Sequence, residues 1–234
     1  MHYANDVFVE NNTIYNVSMA GIVIWYANGG DIKNNEMFDS GNALPISGCS
    51  NLVVSSNKIY DNSGDGIKIT GNSIHNKITA NHVYNNTGYY GGIYVYTSHY
   101  NEITDNHIYN NTKYGIYIDG SHDNTISHNY VYKNGYDGIY LTQDGNNNSI
   151  SSNSVYNNSR YGIIVYGSNN TINNNSIHYN QNSIVIKDTA TNNNITLNKM
   201  ENNSICGIYL IAVSYTHLRA HETSLHLVCR LLLE

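Results

Sequence analysis

Gly115-Ile-Tyr-Ile-Asp-Gly-Ser-His-Asp-Asn-Thr-Ile-Ser-His-Asn-Tyr-Val-Tyr-Lys-Asn134 is one full copy of a motif that runs through most of this chain. Reduced to its recurring residues it reads G-I-x-I, a short loop, N-x-I-x-x-N, then x-I-Y-x-N. The asparagine that closes the middle segment recurs at Asn12, Asn35, Asn57, Asn81, Asn106, Asn129, Asn153, Asn175 and Asn198, with gaps of 22 to 25 residues. A second column follows at Asn62, Asn86, Asn111, Asn134, Asn158, Asn180 and Asn203. A period of this length is the signature of a solenoid, in which each copy buries its apolar side against its neighbours.

Each copy holds three short apolar segments with strand-like alternation, so each is expected to supply three strands. The first places pairs such as Ile116/Ile118 and Ile139/Leu141 inward, the second single residues such as Ile126 and Ile150, the third Val131 and Val155. The expected fold is all-β, a right-handed single-stranded parallel β-helix of about nine coils, since strand–loop–parallel-strand connections are overwhelmingly right-handed. At about 4.8 Å per coil the rod is about 40 Å long. The corner asparagine is expected to occupy a left-handed backbone position and to bond to its counterparts one coil above and below. The glycine of G-I-x-I reads as a turn residue.

Composition agrees. There are 19 Gly, one Pro and 23 Tyr, and only 12% of residues are charged. The formal charge of −6 argues against an electrostatic nucleic-acid partner. No apolar run approaches the ~20 residues of a membrane span. Cys49 and Cys206 lie many coils apart and read as isolated thiols. The repeat is already running at the first residues, so residues 1–212 are expected to be one β-helix, incomplete at both ends. Residues 213–234 differ in kind, with no Asn or Gly and many Leu. Val213–Thr223 resembles a translated transposon mosaic-end adapter, and His226–Glu234 resembles the downstream flow-cell adapter, so this tail is expected to be an artefact outside the fold.

The repeats resemble those of the pectin-lyase-like superfamily, closest to NosD-type and related carbohydrate-binding β-helix domains. The resemblance covers nearly all of residues 7–212 and rests on structural residues. It implies the fold, and a range of functions from lyases and hydrolases to surface adhesins and periplasmic copper handling. Function has to come from a site.

The outward positions carry that message. The third strand presents Tyr15, Phe38, Tyr60, Tyr84, Tyr109, Tyr132, Tyr156 and His178; the first presents Lys68, Tyr94, Tyr117, Tyr140, Ile164 and, further on, Tyr209. Such stripes either stack to stabilise the sheet or offer amphipathic rings to an extended polysaccharide. The expected carbohydrate-binding residues are Tyr94, Tyr117 and Tyr140 on the first strand and Tyr84, Tyr109 and Tyr132 on the third. The reading that follows is a secreted, periplasmic or cell-surface module that binds polysaccharide or surface glycan, or serves as a structural stalk, with no cofactor.

The alternative is a polysaccharide lyase or hydrolase on the first-strand face. Asp119 and Asp137 sit about 16 Å apart along the strands, too far for a pair. Asp119 and Asp144, offset by about 8 Å, are the candidate catalytic carboxylates. A copper-accessory role would need a metal site. His82/His107 and His99/His122 each place two imidazoles one coil apart, but no Cys or Met joins them, and no metal centre is expected.

Overall fold

The computed structural model describes residues 4–187 and 190–211. The tail at 213–234 and its expected origin therefore lie outside the described residues. Three nine-stranded sheets, all parallel, wind around one axis. In the central coil the first strand is Tyr114–Asp119, the second Thr125–Ser127 and the third Tyr130–Tyr132. Every strand inside a sheet pairs with its counterpart one coil before and after, Ile116 with Ile93 and Ile139, Ile126 with Ile103 and Ile150, Val131 with Ile108 and Val155. The repeat thus becomes the hydrogen-bond register itself. The inward Ile, Val and Leu residues form a single core along the axis, most of them fully buried. Among the described residues no helix is long and apolar enough to cross a membrane.

The asparagine columns are continuous buried ladders. Asn106 donates its backbone N–H and its Nδ2 to Asn129 Oδ1, both at 3.0 Å. The same Nδ2 donates to Ile78 O at 2.8 Å, and Asn106 Oδ1 accepts the equivalent pair of bonds from Asn81. A neutral amide satisfies itself in both directions and repeats indefinitely; a carboxylate column would stack like charges at strand spacing. A third ladder runs through Asn76, Asn101, Asn124, Asn148, Asn170 and Asn193, the first asparagine of N-x-I-x-x-N. A serine ladder at the turn after the first strand, Ser73, Ser98 and Ser121, takes Cys49 as its neighbour.

Two expectations about the corners are corrected. The left-handed residue is the one before the ladder asparagine: Asp105, His128 and Ser152, at φ 57°, 57° and 56°, precede Asn106, Asn129 and Asn153. That position accepts Ala80 and Leu197 as well, so it does not select asparagine. The buried amide ladder does. Likewise the G-I-x-I glycines Gly66, Gly92, Gly115, Gly138 and Gly162 are not among the positive-φ glycines. They are close-packing residues: a Cβ on Gly115 would lie 2.3 Å from Val131 Cγ1 and 2.7 Å from Gly138 O. Cysteine usage also differs from expectation in part, because Cys49 is free and buried whereas Cys206 is disulfide-bonded.

Candidate functional site

The two aromatic stripes have different geometry. On the third-strand sheet, Tyr15 through Tyr156 to His178 stack continuously, with centroids 4.8 to 5.1 Å apart and ring planes within 2° to 9° of parallel. Parallel strands in register hold identical side chains one above another, and here the rings follow. Both faces of each interior ring are covered by its two neighbours, so Tyr84, Tyr109 and Tyr132 turn edges rather than faces to solvent.

The first-strand rings are tilted. Tyr94 and Tyr117 meet at 61°, Tyr114 and Tyr117 at 52°, Tyr114 and Tyr140 at 59°. Tyr117 and Tyr140 stack flat, at 4.7 Å and 8°, and Tyr94 stacks on Tyr90 at 18°. The cause is a second row of aromatics at the ends of the first strands: Tyr90 in the loop before one, Tyr114 at the start of the next and Tyr166 just after another. Tyr90 lies 3.8 Å from Tyr94 and buries it to 4% exposure, against the expectation of an open ring. Tyr114 packs obliquely against both members of the Tyr117–Tyr140 stack, and Tyr166 leans on Tyr140 at 36°. Burial pushes the phenols of Tyr94, Tyr117 and Tyr140 far above their usual pKa, so they remain neutral donors. Further along the column Ile164 and Val185 are buried and carry no ring.

Cations gather around this cluster. Lys68 Nζ lies 5.5 Å from the Tyr94 ring, Lys113 Nζ 3.5 Å from Tyr89, and Arg160 Cζ 4.9 Å from Tyr161. At the far end Lys187 Nζ is 5.7 Å from Tyr166. Asp119 sits among the rings, accepting from Thr142 Oγ1 at 3.0 Å and from the Tyr94 hydroxyl at 3.5 Å. Asp144 is exposed, two residues beyond Thr142 on the next coil, and no hydrogen bond links it to Asp119. Tyr90, Lys113, Tyr136 and Arg160 were not among the residues expected from sequence. Their signal is present nonetheless: each lies four residues before the outward residue of its first strand, at Tyr94, Tyr117, Tyr140 and Ile164.

Asp137 occupies the opposite end of the first strand from Asp119. It is fully buried, its Oδ1 accepting the Tyr161 N–H at 3.1 Å and its Oδ2 without a partner. Burial pushes its carboxyl up from the usual value, against the pull of Arg160 and the Tyr161 N–H. A carboxyl raised in the folded state binds its proton more tightly folded than unfolded, so it subtracts stability as pH rises from 3.8 through its folded value. Asp137→Asn keeps an acceptor for Tyr161 and is expected to remove this component. In urea titrations, wild type should lose more stability than the variant between pH 4 and pH 7.

The histidine pairs are stacked imidazoles. His82 and His107 lie 4.8 Å apart at 8°, and the stack continues to Tyr130. His99 and His122 lie 3.7 Å apart, with His99 Nδ1 accepting the His122 backbone N–H and His122 Nδ1 beside Asp123 Oδ2 at 2.7 Å. Burial pushes the pKa of His99 and His107 down. Among the described residues no third His, Cys, Asp or Glu completes a cluster around either pair.

The family pattern described as a right handed beta helix region matches residues 1–90 and 76–221. The chain belongs to this family. No curated protein matches the sequence. Among solved structures, this right-handed β-helix is similar to the periplasmic alginate epimerase AlgG, at 23% identity and a TM-score of 0.68 over 83% of this chain and 55% of that one. It is also similar to DFA-IIIase from Arthrobacter chlorophenolicus A6 without its lid, at 16% identity and a TM-score of 0.74 over 90% of this chain and 62% of that one. The chain therefore spans somewhat more than half the length of these structures, and at such identities the likeness is one of fold.

Proposed function

We propose that this chain is part of an extracytoplasmic β-helix protein that binds an extended polysaccharide along the outer face of its first-strand sheet. The observation that carries the reading is the tilt of Tyr114 against Tyr117 and Tyr140, at 52° and 59°, beside the exposed rings of Tyr89 and Tyr136. Oblique rings leave faces and hydroxyls for a sugar, whereas the flat third-strand stack spends its faces on itself. The similarity to an alginate epimerase described as periplasmic and to DFA-IIIase supports a glycan partner and that compartment. Affinity electrophoresis of the chain in polysaccharide gels tests this. Tyr117→Ala and Tyr140→Ala are each expected to weaken retention about five- to tenfold. Loss of retention in Tyr109→Ala but not in Tyr117→Ala would move the site to the third-strand stack. No retention by any polymer would favour a structural stalk.

A second reading, catalysis on the bound polymer, is favoured by Asp119, a half-buried carboxylate held by Thr142 and Tyr94 at the centre of the same face. Its test is release of products from polysaccharides, lost in Asp119→Ala or Asp144→Ala. Turnover that survives both substitutions removes this assignment.

A further inference from the structure

Cations elsewhere on the described rod are largely neutralised by neighbouring carboxylates. Lys33 lies 2.9 Å from Glu10, Lys58 2.8 Å from Glu36, Lys77 3.9 Å from Glu102 and Lys199 3.0 Å from Glu201. On the first-strand face the pattern reverses. Among the described residues no carboxylate lies within ion-pair distance of Lys68 or Lys113, and both sit over tyrosine rings instead. Arg160 approaches only the buried Asp137, Nε to Oδ1 at 3.8 Å, without a hydrogen bond. Four cations, Lys68, Lys113, Arg160 and Lys187, thus share this face with Asp119, Asp144 and the buried Asp65 and Asp137, and Lys68 and Lys113 over their rings have no carboxylate at ion-pair distance among the described residues, in a chain whose formal charge is −6.

Arg160 is the best fixed of the four. Its guanidinium lies between Tyr136 and Tyr161, 5.6 and 4.9 Å from their centroids, with the Asp137 carboxylate behind it. Lys113 occupies the same column two coils earlier, about 10 Å away along the axis. It flanks the other side of Tyr136, at 5.9 Å. Ring-stacked guanidinium and ammonium groups without surface counter-ions match a polymer that carries acid groups along its length. Arginine in particular suits the planar oxygens of a carboxylate or sulfate.

We propose that the first-strand face is selective for anionic polysaccharide, and that Arg160 binds the acid group of one sugar while Lys113 binds another. Asp137 is a positioning residue behind Arg160. The inference rests on the polysaccharide reading of this face and adds the charge of the ligand. Two matched pairs of polymers separate the two claims: polygalacturonate against its full methyl ester, and dextran sulfate against dextran. In affinity electrophoresis of the whole chain, retention is expected on at least one charged member and on neither neutral one, falling as NaCl is raised. Arg160→Gln, and independently Lys113→Gln, should each weaken retention about tenfold while leaving the circular dichroism spectrum unchanged; Arg160→Lys should restore part of it.

Equal retention on the charged and neutral members would overturn the charge selectivity and leave the polysaccharide reading standing. Retention on none of the four polymers, or only on a poly-dT gel, would overturn both. Unchanged affinity in folded Arg160→Gln and Lys113→Gln would overturn the residue assignment.

Discussion

Asn129→Ala is expected to destabilise the rod by about 3–6 kcal/mol, whereas His128→Gly, one residue earlier, is expected to be neutral or to stabilise it by up to about 1 kcal/mol. Asn129 Oδ1 is the acceptor for both the backbone N–H and the Nδ2 of Asn106, and its own Nδ2 donates to Ile103 O at 2.8 Å and to Asn153 Oδ1 at 3.0 Å. Alanine leaves the buried Asn106 N–H without its acceptor, at about 1–3 kcal/mol, and takes one bond each from Asn106 Nδ2, Ile103 O and Asn153 Oδ1, of which Asn106 Nδ2 keeps Ile78 O and Asn153 Oδ1 keeps the Asn129 N–H. His128 is exposed and left-handed at φ 57°. Glycine relieves the steric cost of that conformation, roughly 1–2 kcal/mol, offset by about 0.5–1 kcal/mol of added chain entropy. Urea denaturation of the two variants measures the contrast. Because each coil touches only its neighbours, hydrogen exchange in Asn129→Ala should accelerate first in the coils around Asn106 and Asn153. A small and equal effect for both substitutions would mean that backbone conformation, not the amide ladder, selects the asparagine.

That contrast marks where the sequence was transparent. A period of 22 to 25 residues becomes a hydrogen-bond register because every strand pairs with its copy one period away. The inward Ile and Val columns follow from two-residue alternation, and the structure has them where the alternation puts them. The reason for each conserved-looking residue was harder to see. Periodicity reveals that Asn recurs, but not whether its backbone or its amide is responsible, since both recur with the same period. The neighbouring position separates them: it holds Asp105, His128, Ser152 and Leu197, which share a backbone conformation and no side-chain chemistry. The candidate face was legible only in part for the opposite reason. Tyr94, Tyr117 and Tyr140 lie in a regular strand and align at once, whereas Tyr90, Lys113, Tyr136 and Arg160 lie in loops with no common residue type. What gathers them is the winding of the coil, which places every loop of one kind on one edge of the same sheet, and this turns an apparently open column into a half-covered one with Tyr94 buried beneath Tyr90.

Gly115→Ala is expected to cost about 1–3 kcal/mol, a large effect for one added methyl. The new Cβ would meet Val131 Cγ1 at 2.3 Å, Gly138 O at 2.7 Å and Asn134 Nδ2 at 2.9 Å. It would therefore push at once on the core, on the next coil and on a ladder asparagine. A β-branched Val131 in a close-packed interior has little room to yield. The column itself contains the reverse experiment. Ser183 stands where Gly162 stands one coil earlier, and its Oγ is buried without a partner. Its third-strand neighbour is Met200 in place of the Val or Ile that runs from Ile59 to Ile177, an unbranched chain that adapts to the extra atoms. Ala43, near the other end, is the remaining departure from glycine among the aligned coils from Ala43 to Ser183. Ser183→Gly should then stabilise by up to about 1–2 kcal/mol, the relief of an unpaired buried hydroxyl exceeding the added chain entropy of glycine. Thermal and urea denaturation of the two single variants should move in opposite directions. If Gly115→Ala were neutral, or Ser183→Gly destabilising, the glycine column would have to be explained by chain flexibility rather than by the space between the first strand, the third strand and the ladder.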